Sequence, residues 1–273
     1  MSSLTVVRRS CVLVVLSAVI GGPLFATAAE IAVAAGQQVE FFQAIQAGQI
    51  AVKLIPRDAK EANVLIENKG QQPLTIKLPD AFAGVPVLAQ VGGMGGMGGM
   101  GGMGGMGGGG GGGMQAMGGG MGGMGGGGMG MGGGGMGMGG GMFNVAPGKV
   151  GKIKVPTVCL EHGKTDPTPR VQYEIRPIDS FTDNKQVAEI CKMLGRGEVV
   201  QNVAQAAAWH LTDGLSWDEL ARKDRVKLSN GYTEKYFAPQ ELVMAVRVVG
   251  EAERRAEKSE SSDSLKDSSL SQN

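Results

Sequence analysis

Downstream of the first 28 residues, four side chains could bind a metal or act as a thiol–imidazole pair: Cys159, His162, Cys191 and His210. Cys159 and His162 have the close spacing of a zinc-ligand pair, and Cys191 with His210 would complete a tetrahedral set. Cys159 with His210 would also make a cysteine–histidine nucleophile, but the sequence names no orienting third residue and no oxyanion motif. The familiar linear motifs G-x-S-x-G, G-x-x-x-x-G-K-S/T, H-E-x-x-H and C-x-x-C are missing. In an oxidising compartment, Cys159 and Cys191 are first a disulfide pair. That bond would staple the helical part of the chain onto its β part, adding about 3–4 kcal/mol in the chain-entropy picture.

Two short stretches carry more specific information. Val158-Cys159-Leu160-Glu161 leaves a predicted strand, and Gln205-Ala206-Ala207-Ala208-Trp209 lies on a predicted helix. Together they resemble the motifs of bacterial surface thioester domains of the Thr-Gln-x-Ala type. In that family a cysteine and a glutamine join as an internal thioester that acylates an amine. The resemblance makes Cys159 the thiol and Gln205 the acyl donor, with Trp209 one turn further along the same helix face. A packed tryptophan would keep water from the activated acyl group. Ala204 stands where the family has threonine, and Gln205 follows Cys159 by 46 positions, a shorter interval than is usual for the family.

The elements that must position these residues fall into two groups. Ile50, Val52 and Leu54, then Val64 and Ile66, then Leu74, Ile76 and Leu78 alternate with polar or small residues; Ile153, Val155, Tyr173 and Ile175 continue the pattern. Period-2 patterning in short runs broken by turns predicts an Ig-like β-sandwich over residues 29–91 plus 143–178. Val39, Phe42 and Ile45 suggest a short leading helix. Residues 179–257 read as a helical subdomain. One helix is capped by Asp183 and carries Val187, Ile190, Cys191 and Leu194. A second is capped by Asn202 and carries Val203, Ala206, Ala207 and Leu211. A third opens on the Ser216/Glu219 capping box, and a last one begins at Pro239. The Ser-rich residues 258–273 read as a disordered tail. The expected class is α+β.

Between the predicted strands lies a segment, residues 92–142, made of glycine and methionine apart from Gln115 and Ala116. Glycine loses the most entropy on ordering, so the segment reads as one long disordered loop inserted in the sandwich. Loop closure scales slowly with length, and a fold survives such an insertion at a cost of about 2 kcal/mol. Its thioethers could alternatively capture Cu(I), for example through Met129/Met131 and Met136/Met138.

Residues 1–28 have the order of a secretory signal: Arg8 and Arg9, an apolar run from Cys11 to Ile20, and Ala26-Thr27-Ala28 as a cleavage site. No later segment is long and apolar enough to span a membrane. The formal net charge of +1 includes Arg8 and Arg9, which excludes a strongly basic nucleic-acid binder. The expectation is an exported, non-catalytic structural or interaction module of the periplasm, cell surface or exterior. It needs no cofactor and meets a protein or cell-envelope partner. The surface thioester module and the Met-rich Cu(I) protein stand as alternatives.

Overall fold

The computed structural model describes residues 37–87, 113–123 and 141–270, with side chains through 261. The leader and most of the glycine-methionine segment, including the Met129/Met131 and Met136/Met138 spacings, lie outside the described residues. Contacts divide the chain at Val33/Ala34, and every described residue belongs to the second unit.

Strand β1 (Gln37–Glu40) and helix α1 (Phe41–Gln46) lead into β2 (Ile50–Pro56), β3 (Glu61–Asn68), β4 (Leu74–Lys77) and β5 (Phe82–Pro86). Then come β6 (Met117–Gly119), β7 (Met142–Val145), β8 (Val150–Cys159) and β9 (Tyr173–Pro177). Helices α2 (Lys185–Gly195), α3 (Gln201–Asp213) and α4 (Trp217–Arg222) follow, then the hairpin β10 (Asp224–Lys227) and β11 (Thr233–Lys235), and finally α5 (Pro239–Leu270). The class is α+β. Period 2 is visible in β3, where Ala62, Val64, Ile66 and Asn68 point inward and their neighbours do not.

The strands do not divide into the two open sheets of the expected Ig-like sandwich. Six close into a barrel in the order β2-β3-β8-β6-β5-β9, and β1-β4-β7 form a separate three-stranded sheet. Leu74, Ile76 and Val145 of that sheet share one core with Leu54, Val64, Ile66, Val155 and Met117 of the barrel. The cause of closure is β6. It pairs with β5 on one side and β8 on the other, joining two edges that a sandwich would leave apart.

Strand β6 comes from inside the glycine-methionine segment, which corrects the expectation of one disordered loop over residues 92–142. Gln115 and Ala116, the two residues that break the composition, are buried beside it, as are Met117 and Met121. The Gln115 amide Nε2 donates to Lys164 O (3.0 Å) and Asp166 Oδ1 (2.7 Å), and Ala116 N donates to Glu161 Oε2 (2.8 Å). These bonds fix the register of a strand whose glycines could not fix it. Those glycines have their own role, which is close approach. A Cβ on Gly118 would lie 2.7 Å from Cys191 Sγ, and one on Gly195 of α2 would lie 2.5 Å from Gly120.

Helices α2, α3 and α5 cover the outside of the barrel with a second core of Val187, Ile190, Leu194, Val203, Ala207 and Ala245, which also takes in Val158 and Leu160 of the β8 end. Asn184, not Asp183, caps α2, its side chain accepting from Gln186 N and Val187 N. Asn202 does not cap α3; its amide donates to Glu241 (2.9 Å) instead. The Ser216/Glu219 capping box of α4 is formed. Helix α5 runs on to Leu270 where a disordered tail was expected. Among the described residues no helix is long and apolar enough to cross a membrane.

Candidate functional site

The chemistry-bearing residues gather where β8 leaves the barrel. Strand β3 pairs with β8 only as far as Glu61↔Pro156. One further bond, Thr157 N to Lys60 O (2.8 Å), closes that edge. Beyond it, among the described residues, no strand flanks β8 on this side. On the opposite edge β6 continues, with Met117 opposite Cys159 and Leu160 N donating to Ala116 O (2.9 Å).

Helix α3 takes the place of the missing strand, using side chains. Gln201 Nε2 donates to Thr157 O (3.1 Å). Gln205 Oε1 accepts from Cys159 N (2.8 Å), and Gln205 Nε2 donates to Cys159 O (2.9 Å). At the far end Asp213 Oδ1 accepts from His162 N (3.0 Å). The match is geometric. Four helical residues rise about 6 Å, and two strand residues span about 6.6 Å, so a side chain every fourth residue meets a main-chain group every second. Gln201 and Gln205 keep that step against Thr157 and Cys159, and Trp209 and Asp213 continue the same helix face past the end of β8.

The two motifs of the thioester resemblance are therefore neighbours, but through the main chain of Cys159. Both polar atoms of the Gln205 amide are engaged there, while Cys159 Sγ lies 3.9 Å from Ala59 O. Cys159 is 1 % exposed. Burial, followed by the charges of Asp166 and Asp58, pushes its thiol pKa well above the ordinary range, which makes it a poor nucleophile. The acyl transfer that the resemblance implies would need Gln205 to turn from the backbone to the sulfur.

The expected Cys159–Cys191 disulfide is not formed: both are buried free thiols. Alternation along the strands explains why. Cys159 faces the same way as its partner Met117, whereas Cys191 Sγ sits against Gly118, the next residue, on the other face. Both border the core beneath the helices, but the Cys159 side chain leaves β8 alongside that of Met117, while Cys191 meets β6 from α2, at Gly118. Burial alone pushes the Cys191 thiol up to about 12.

The zinc set of Cys159, His162, Cys191 and His210 is not brought together either. Among the described residues no three His, Cys, Asp or Glu side chains converge as metal ligands. His210 turns away from the seam: its Nδ1 is 2.8 Å from Leu215 O, and its ring stacks on Trp217 at 4.2 Å. Among the described residues the Cys159 thiol meets Ala59 O and not His210, so the Cys159–His210 nucleophile is not assembled. The Met129/Met131 and Met136/Met138 spacings named for Cu(I) lie outside the described residues; Met117 and Met121 of the same segment are fully buried in the barrel core.

His162 joins a cluster that the sequence reading missed. Its ring meets Trp209 edge-on at 4.9 Å, and its Nε2 lies 2.7 Å from Lys223 Nζ. Lys223 Nζ in turn lies over the Trp209 ring (5.2 Å) and the Tyr236 ring (5.8 Å). Tyr236 also packs on Trp209 and Phe237, and Arg225 lies over its ring at 5.0 Å. Burial, then the Lys223 charge, holds the His162 pKa below its usual value. Burial lowers Lys223 as well, with Asp166 pulling against it. Trp209 Nε1 is buried without a hydrogen-bond partner among the described residues. The signal that could have revealed the seam was the four-residue recurrence of polar residues on α3. Nothing in the sequence placed Lys223 or Tyr236 beside His162.

Comparison with protein-family models, with curated proteins and with solved structures finds no match to this chain.

Proposed function

We propose that the chain is an exported, non-catalytic structural and interaction module of the cell envelope or exterior. The observation that carries this reading is the double hydrogen bond between the Gln205 amide and the Cys159 main chain. The residues best suited to chemistry are spent on joining the helices to the barrel, and the thiol is sealed from solvent. The order of charge, apolar run and small residues in positions 1–28 supports export.

One specific observation favours a second reading, the surface thioester. Gln205, 46 positions further along the sequence, reaches to within 2.8 Å of the Cys159 backbone. In that chemistry Cys159 Sγ attacks the Gln205 amide carbon and ammonia leaves, so the chain loses about 17 Da; methylamine then restores an open amide. The experiment is the intact mass of the mature protein purified without reductant, before and after methylamine. The structural reading expects the full mass and no change. A deficit of about 17 Da that methylamine abolishes would overturn it in favour of a covalent adhesion module.

A further inference from the structure

From the cluster around His162 we propose that Lys223 is an acyl-acceptor lysine, with His162 as the group that takes its proton. The substrate class is an activated acyl group, an ester or thioester, presented by a partner molecule.

Three observations carry the assignment. First, the two nitrogens are already in proton-transfer contact: Lys223 Nζ is 2.7 Å from His162 Nε2. A neutral imidazole accepts there from the ammonium, and passing that proton to Nε2 exposes the amine lone pair. Second, the ammonium stands on hydrocarbon and aromatic surface. Trp209 and Tyr236 form two walls and replace water that would otherwise hydrate the charge. Desolvation of this kind makes lysines nucleophilic. Third, the pair is held in place and still reachable. His162 is fixed by its backbone N–H to Asp213 and by the Trp209 edge, while both His162 and Lys223 keep partial exposure.

The charged groups around the pair set its limits. Asp166 favours the ammonium, Arg225 lies over the Tyr236 ring, and Asp213 and Glu219 pull the imidazole toward its charged form. Burial outweighs them at both nitrogens. The step balances without an outside oxidant or reductant. His162 Nε2 takes the first ammonium proton, the neutral Lys223 amine attacks the acyl carbonyl, and the C–O or C–S bond breaks as the amide bond forms. The imidazolium hands its proton to the leaving alkoxide or thiolate, and the freed Nε2 takes the second amine proton and releases it to solvent. The product is a stable amide. The inference is independent of the reading proposed above, because it makes no use of Cys159 or Gln205 chemistry.

The test uses the full mature chain and a limiting dose of N-hydroxysuccinimidyl acetate near pH 7, with acetylation of each lysine read by peptide mass spectrometry. The expected result is that Lys223 acetylates about tenfold faster, or more, than the exposed Lys53 and Lys227, and that His162→Gln abolishes the advantage. Equal rates at Lys223, Lys53 and Lys227 in the unaltered protein would overturn the assignment. So would a His162→Gln protein that keeps its fold and keeps the fast Lys223. A measurement that needs no variant is the pH dependence of acetylation, in which Lys223 should reach half its limiting rate at lower pH than Lys53 does. Coincident profiles would also overturn the proposal. None of these outcomes alters the intact-mass result, so the two readings fail separately.

Discussion

The end of β8 is held along both edges, and the two edges are completed by different kinds of sequence. On one, β6 supplies main-chain bonds from a stretch of Met-Gly-Gly. On the other, α3 supplies side chains, Gln201 and Gln205, set four residues apart. A backbone partner demands almost nothing of side-chain identity, so it can be drawn from low-complexity sequence provided that the residues are small enough to fit. A side-chain partner demands matching chemistry at each contact: the Cys159 N–H and C=O together require an amide, Gln205, because only an amide both donates and accepts in the pattern of a peptide group. The first edge is specific in size and the second in chemistry.

Substitutions should separate the two kinds of specificity. The largest effect is expected from Gln205→Ala, which leaves the buried Cys159 N–H and C=O without partners. At about 1–3 kcal/mol per orphaned group, chemical denaturation should show a loss of about 3 kcal/mol or more. Gly120→Ala should come next, at about 2 kcal/mol, since the added methyl meets the α2 backbone and neither chain can yield. The same substitution at Gly148, where a Cβ would meet nothing, tests backbone strain without crowding. Gln201→Ala removes a single bond to Thr157 O and should cost about 1 kcal/mol. The smallest effect is a pH dependence. Burial and Lys223 hold the folded-state pKa of His162 below its ordinary 6.5. As pH falls through that value, the unfolded chain takes up a proton that the folded chain refuses. Stability present above pH 6.5 is therefore lost progressively below it, and His162→Gln should remove that part of the slope in a pH series of denaturation curves.

Much of the fold was legible. Alternation located β2, β3, β4, β8 and β9. Helical periodicity located α2 and α3, the Ser216/Glu219 capping box located α4, and Pro239 opens α5 as read. What stayed hidden was long-range. A strand built of Met117, Gly118 and Gly119 has no period and no β-propensity, so nothing local separates it from the glycine on either side. Its only marks are Gln115 and Ala116, whose burial depends on a loop 45 to 51 positions later. That missing strand also decided between a sandwich and a barrel. At the site, the pairing of Val158-Cys159-Leu160-Glu161 with Gln205 to Trp209 was legible, because α3 does lie on β8. Which atoms meet was not, since a glutamine that bonds a cysteine's backbone and one that faces its sulfur have the same sequence. The disulfide and zinc expectations failed because spacing along the chain does not say where each side chain is directed: Cys191 Sγ sits against Gly118, and His210 is committed to Leu215 O and Trp217.

The central claim is that α3 side chains complete one edge of β8 while β6 completes the other, and amide hydrogen exchange tests it most directly. Cys159 N–H is bonded to Gln205 Oε1, and Leu160 N–H to Ala116 O. In the unaltered protein both amides should exchange only through opening of the core. In Gln205→Ala, Cys159 should lose its protection while Leu160 keeps more of its own. A Cys159 amide that exchanges freely in the unaltered protein, or one that Gln205→Ala leaves as protected as before, would contradict the account.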